Sequence, residues 1–351
     1  ESVADVITET PFKYLAPEGK YMLLILTWAT IISLIIMMYV LLDGFDLGVG
    51  ILFPWIKQSE HRDIMMSTVV PVWDGNETWL VFGAAALYAA FPMAYSILLP
   101  TLYMPIMILL VALIFRGVAF EFRFKAQRSQ FIWDIAFAAG SILAAFIQGI
   151  ILGTFVKGYG LHLPLSHSAY HWFTPFTVFT GLAVVCGYAL LGATWLIVKT
   201  DGILQERMFK IAKALLAVVV FFLVTVSVWT PIIEPQIMQR WFSLPNFLYL
   251  SPLPLLTILI VFYNFYCLAK KKEKLPFILT MILFVCSYIG FCISAWPYIV
   301  PHALSVWDAA APPSTLIFIL VGAGILLPIL LIYTIYSYHV FRGKVKTTIH
   351  Y

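Results

Sequence analysis

Charge is what this sequence has least of. Only 11% of its 351 residues are Asp, Glu, Lys or Arg, against 62% hydrophobic residues, whereas a soluble domain carries about a quarter charged residues. The deficit excludes a soluble globular chain and points to one built in lipid. Cysteine is also scarce: Cys186, Cys267, Cys286 and Cys292 all fall inside apolar runs with no CxxC pair. Neither a disulfide framework nor a zinc site is expected from that pattern. Histidine is missing where it would matter most. His61, His162, His167, His171, His302, His339 and His350 lie in loops or at the ends of apolar runs, so no imidazole is offered inside a bundle to a haem iron or buried metal. The first twenty residues set Glu1, Asp5, Glu9 and Glu18 against Lys13 and Lys20. They lack the basic start and cleavage site of a secretory signal, and the first apolar run is expected to direct its own insertion. A net charge of +4 carries no nucleic-acid signal here, because basic residues in such a chain mark topology.

What the sequence does have is long apolar runs. About 20 helical residues cross a hydrocarbon core, and nine runs of that length are expected near 21–42, 78–97, 99–118, 132–155, 174–198, 212–231, 249–269, 276–298 and 315–340. The division between the second and third, among Pro92, Pro100 and Pro105, is the weakest in the pattern. With the amino terminus outside, 17 of the 21 Lys and Arg fall on the inner side and four on the outer, as the positive-inside rule requires. The chain is therefore read as an all-α, single transmembrane domain over 1–351: an extracytoplasmic segment 1–20, a nine-helix bundle 21–342 and a cytoplasmic tail 343–351. The longest connection, 43–77, leaves no room for a soluble domain. Many aromatic residues, such as Trp28, Trp195, Trp229 and Trp296, fit interfacial anchoring and packing.

Against this background the few acids stand out. VLLDGFDLGVGILFPW, residues 40–55, places Asp43 and Asp46 three apart, with Gly44 and Gly48 forming a GxxxG step that admits a second backbone. PVWDGNETWL, residues 71–80, sets Asp74 and Glu77 three apart before the second run. One reading is helix capping, with Asp74 as the cap and Glu77 completing a capping box. The other is a proton route, the default meaning of carboxyls at membrane depth. Arg116, in IFRGVAFEFRFK, is a candidate partner for Asp46. Asp134 and Gln148 are further polar residues near or within the fourth run, and interhelical hydrogen bonding is the preferred reading for Gln148. Asp308 has no evident partner. The spacing in DGFDLG does not suit a calcium loop, and the His162, His167 and His171 cluster reads as loop histidines.

The motifs DGFDLGVG at 43–50, PVWDGNETWL at 71–80 and FRGVAFEFR at 115–123, in this order at the ends of the first three runs, resemble subunit II of the cytochrome bd-type quinol oxidases. Their wording is most similar to the cyanide-insensitive branch. The resemblance implies a heterodimer in the bacterial cytoplasmic membrane that oxidises quinol and reduces dioxygen to water. It places haem b and haem d, or a b-type haem in its place, in the partner subunit I, and leaves this chain without haem or metal. Small single-span subunits and a quinone held as a structural lipid are compatible with it. By motif position, Asp43 and Asp74, with Glu77 beside them, would form the proton pathway, while Asp46, Arg116, Trp73 and Asn76 would supply a structural ion pair and motif contacts. Two other functions fit the acids: a proton-coupled secondary transporter titrating Asp43, Asp74 and Asp134, and an assembly subunit whose acids are purely structural. DGFDLGVG has no duplicate in the second half, which argues against the paired repeats of a transporter.

Overall fold

The computed structural model describes residues 19–126, 128–158, 172–301 and 303–345. The segment 1–18, His162, His167, His171, His302, His350 and the last residues of the tail lie outside the described residues. The chain is helical almost throughout. Helix α1 (Gly19–Leu52) is followed by a 3-10 turn (Phe53–Trp55) and a short α2 (Ser59–Ser67). Then come α3 (Trp73–Ala90), α4 (Pro92–Thr101), α5 (Tyr103–Arg123), α6 (Gln130–Lys157), α7 (Pro175–Lys199) and α8 (Gly202–Ile233). The chain continues through α9 (Pro235–Phe242), α10 (Asn246–Leu250), α11 (Pro252–Ala269), α12 (Leu275–Ala295), the two-stranded β1 (Tyr298–Val300) and β2 (Leu304–Ser305), α13 (Val306–Ala309) and α14 (Pro313–Val340).

Among the described residues, eight helices are long and apolar enough to cross a membrane, one fewer than the pattern predicts. The difference lies at the expected second run, 78–97. There α3 stops at Phe91 because Pro92 disfavours a helical residue before it and starts α4 instead. The first two turns of α3, with Asp74, Asn76 and Glu77, are also too polar for the whole helix to count as a lipid span. The expected third run moves accordingly from 99–118 to α5. A second correction concerns the first run, expected to end at residue 42. No proline interrupts DGFDLGVGIL, so α1 continues for ten further residues until Pro54 ends it. At 34 residues α1 is about 50 Å long, and every residue from Leu41 to Leu52 is buried.

Glycine makes this burial feasible. A Cβ on Gly48 would lie 1.9 Å from the Tyr188 carbonyl oxygen, and one on Gly192 would lie 2.3 Å from the Gly48 carbonyl carbon. The backbones of α1 and α7 therefore cross in direct contact, the small-residue packing by which helices associate without a hydrophobic driving force. Gly140 does the same for α6 against Ala112 and Arg116 of α5. Helices α1, α3, α5, α6 and α7 form the packed centre, while α8, α11, α12 and α14 lie around it.

Each end of the bundle is tied. At one, Ala311 N donates to Ala90 O at 2.9 Å, Tyr21 Oη to Ala311 O at 3.1 Å, and Trp28 Nε1 to Leu316 O at 3.0 Å. Asp308 there is exposed and accepts from Ser305 Oγ at 2.5 Å. At the other, Lys199 Nζ donates to Phe341 O at 2.5 Å and Val345 N to Lys199 O at 2.9 Å. Lys344 spans Asp201 Oδ1 at 2.6 Å and Glu273 at 3.0 Å.

Two predictions follow from these contacts. Gly48→Ala destabilises the protein by about 3 kcal/mol, the upper range for overpacking, whereas Gly290→Ala, whose Cβ finds nothing nearer than 3.8 Å, leaves the thermal midpoint unchanged. The Lys344 strap is sensitive to acid. Hydrogen bonds from Lys344, then Gln205, hold the Glu273 carboxyl below its ordinary value. Its contribution is therefore complete above the unfolded carboxylate range and is lost as pH falls through the depressed one. Limited proteolysis after Arg342 is expected to accelerate at that acid limb and to be acid-insensitive in Lys344→Ala.

Candidate functional site

Two helices bring their acids to one cation on a third. Asp43 and Asp46 share a face of α1 because residues three apart lie on adjacent turns. Glu77 comes from α3, and Arg116 from α5. The Arg116 Nη1 atom donates to Asp43 Oδ1 at 2.7 Å and lies 3.4 Å from Glu77 Oε1, while Nη2 is 3.9 Å from Asp46 Oδ2. The principal ion pair of Arg116 is thus Asp43, with Asp46 at the limit of reach. Asp46 is held instead by Asn76, whose Nδ2 donates to Asp46 Oδ2 at 2.6 Å and to Leu42 O at 3.3 Å. Tyr338 Oη on α14 donates to Asn76 Oδ1 at 3.0 Å.

Asp43, Asp46 and Arg116 have no solvent exposure, whereas the Glu77 side chain is 23% exposed. Glu77 is therefore the opening of the cluster, and Asp74, one turn earlier on α3, is exposed. The capping reading fails: the N-cap of α3 is Val72, no side chain caps it, and Asp74 lies inside the first turn. Trp73 stacks on Phe120 with ring centroids 5.0 Å apart, covering Gly117.

One guanidinium faces three carboxyls in a buried site, so the cluster carries more acid groups than its one cation can pair with fully. The polar atoms agree with this. Asp43 Oδ2, Asp46 Oδ1 and Glu77 Oε1 are buried and accept no regular hydrogen bond. A group of coupled carboxyls with spare acceptor atoms can take up and release protons.

Two features escaped the sequence reading. Behind Asp43, Tyr39 on α1, Gln148 on α6 and Tyr188 on α7 form a hydrogen-bonded chain. The Tyr39 and Asp43 spacing of i, i+4 was a signal for it; the partners from distant helices were not. A second ionic cluster joins Arg123 to Asp63 at 2.6 Å and to Asp134 at 2.5 Å, with Arg62 on Asp134 at 2.7 Å. The guanidinium groups of Arg62 and Arg123 lie over the Phe53 ring, 5.4 and 5.3 Å from its centroid. Phe53 packs on Phe137 and Phe137 on Phe120, so an aromatic layer separates the two clusters. The described histidines, His61 and His339, lie at helix ends, and among the described residues no group of three His, Cys, Asp or Glu could hold a metal.

Arg116→Gln is expected to strip the three carboxyls of their only cation and to destabilise the protein by about 3–5 kcal/mol, the range for breaking a buried ion pair from one side. Arg116→Lys, which keeps the charge without the fork, should fall between it and the unmodified protein in thermal unfolding and yield.

Comparison with known proteins places this arrangement. A family model described as cytochrome bd terminal oxidase subunit II matches residues 24–341. The chain is 26% identical to the cytochrome bd-I ubiquinol oxidase subunit 2 of Escherichia coli K12 over 370 residues, covering 93% of this chain and 96% of that one. It is 28% identical to the cytochrome bd ubiquinol oxidase subunit 2 of Bacillus subtilis over 330 residues, covering 91% and 96%. Its fold is similar to a chain of the bd oxidase from Geobacillus thermodenitrificans, with a TM-score of 0.71 at 18% identity over 91% of this chain and 99% of that one.

Proposed function

This chain belongs to the cytochrome bd terminal oxidase subunit II family, and on that premise we propose that it is the haem-free subunit of a quinol oxidase, loading protons for the reduction of dioxygen to water. Its relatives are subunits of terminal ubiquinol oxidases, and the reading brings that activity to the complex this chain forms with a haem-bearing subunit I. The bacterial cytoplasmic membrane is its site, with the amino terminus outside and the carboxyl terminus inside, as the distribution of basic residues favours.

The observation that carries the proposal is the composition of the buried cluster. Three carboxyls, Asp43, Asp46 and Glu77, share one guanidinium and open to the surface only at Glu77, beside exposed Asp74. Making water consumes protons that must reach a site within the membrane, and acids at membrane depth are how such routes are built. In this reading Glu77 and Asp74 on α3 exchange protons with the partner's side, and Asp43 holds them beside Arg116. Asn76 and Trp73 keep α3 in register, Asn76 through Asp46 and Trp73 through Phe120. Haem held by the partner supplies the oxygen chemistry; this chain holds and moves protons. The partner lies against α3, where the acids open, and stabilising subunit I is part of the same role.

Glu77→Gln in the purified complex is expected to lower quinol-dependent oxygen consumption about a hundredfold, the low end of the range for removing a proton-transfer group, and Asp74→Asn to lower it less. Haem content and subunit stoichiometry should stay normal in both. Full activity in both variants removes the proton role and leaves an assembly subunit; a colourless single chain that transports solute in vesicles removes the oxidase reading altogether.

A further inference from the structure

The polar chain behind Asp43 has a fixed direction. Tyr188 Oη donates to Gln148 Oε1 at 2.8 Å, and Gln148 Nε2 donates to Tyr39 Oη at 2.8 Å. Because the Tyr188 proton occupies the amide oxygen, the amide must present its N–H to Tyr39. The Tyr39 oxygen is thereby an acceptor, and its own proton has no other acceptor among the described residues. One turn along α1, Asp43 gives Oδ1 to Arg116, while its Oδ2 is buried without a regular hydrogen bond. A buried donor and a buried acceptor, each unused, thus stand at i and i+4 on one helix face, and the Tyr39 hydroxyl interacts with the Asp43 carboxyl. The charged and titratable groups facing Tyr39 are Asp43 from its own helix, Arg116 from α5 and Tyr188 from α7.

We propose that Tyr39 is a positioning residue for Asp43: its hydroxyl donates to Asp43 Oδ2, and Gln148 and Tyr188 fix the direction of that bond. The three donations then run in one direction, from Tyr188 through Gln148 and Tyr39 to the carboxyl, and hold it in place opposite Arg116. The same polarity closes the route. An amide N–H donates a hydrogen bond but passes no proton on, so a proton arriving at Asp43 cannot continue through Gln148 into the far half of the bundle and must leave by the cluster it entered. The inference rests on Asp43 being the proton carrier, and it adds the group that keeps the carrier a dead end rather than a conduit across the membrane.

The test uses the complete two-subunit complex with Tyr39→Phe, Gln148→Leu and Tyr188→Phe, each of which removes polar groups without adding a non-hydrogen atom. Infrared difference spectra between two pH values are recorded, with the Asp43 carboxyl band identified by its loss in Asp43→Asn. The expected result is a displaced Asp43 band in Tyr39→Phe, a smaller displacement in the same direction in Gln148→Leu and the smallest in Tyr188→Phe. Tyr39→Phe should also lower kcat for quinol oxidation three- to tenfold with KM for quinol unchanged. An Asp43 band in Tyr39→Phe and Gln148→Leu that coincides with the unmodified one overturns the proposal. If the graded displacement is seen while Asp43→Asn consumes oxygen at the full rate, the donor chain stands and the carrier reading falls. If Asp43→Asn is inactive and the band does not move, the carrier reading stands and the donor chain falls.

Discussion

A single guanidinium buried among three carboxyls governs this structure. Arg116 cannot be left alone at membrane depth, where an unpaired charge is prohibitively costly, and neither can Asp43. Each therefore fixes the other, and with them the helices that carry them. That the geometry can be met at all depends on backbone contact. Gly48 against the Tyr188 carbonyl and Gly140 against Ala112 bring α1, α5, α6 and α7 close enough for short side chains to meet at the centre. The ion pair and the glycine crossings are one device: remove the close approach and Asp43 no longer reaches Arg116.

The second cluster shows how differently the same residue types behave when numbers balance. Arg62 and Arg123 face Asp63 and Asp134, two cations for two carboxylates, and both guanidinium groups make cation–π contact with the Phe53 ring. That set is balanced in charge and joins α2 to the ends of α5 and α6. The first set, with one cation for three acids, is not balanced. The layer of Phe53, Phe137 and Phe120 keeps the two from exchanging partners.

Much of this was legible in the residues. Long apolar runs marked the helices, and DGFDLGVG and PVWDGNETWL marked the acids. The apolar pattern ended the first run at residue 42, but the small residues that follow serve burial, and α1 runs on through them. The sequence matched Arg116 to Asp46, which lies 3.9 Å from it; the nearer pair with Asp43, at 2.7 Å, depends on how α1 meets α5. Tyr39, Tyr188 and Tyr338 each read as ordinary helix residues, and Gln148 read as an interhelical hydrogen-bonding residue whose partners the sequence did not name. They meet only because four helices converge, and no spacing along the chain encodes a contact between residues 39, 148 and 188.

The break after α3 carries a consequence for the acids at its other end. Ala90, the last residue of that helix, gives its carbonyl oxygen to the amide of Ala311, and Ala311 is in turn held by Tyr21 from the start of α1. A rod pinned at its far tip by a segment some 220 positions downstream cannot slide along its axis. The position of Glu77 along the bundle is consequently set from the far end of α3, by a peptide hydrogen bond to a segment that follows α12.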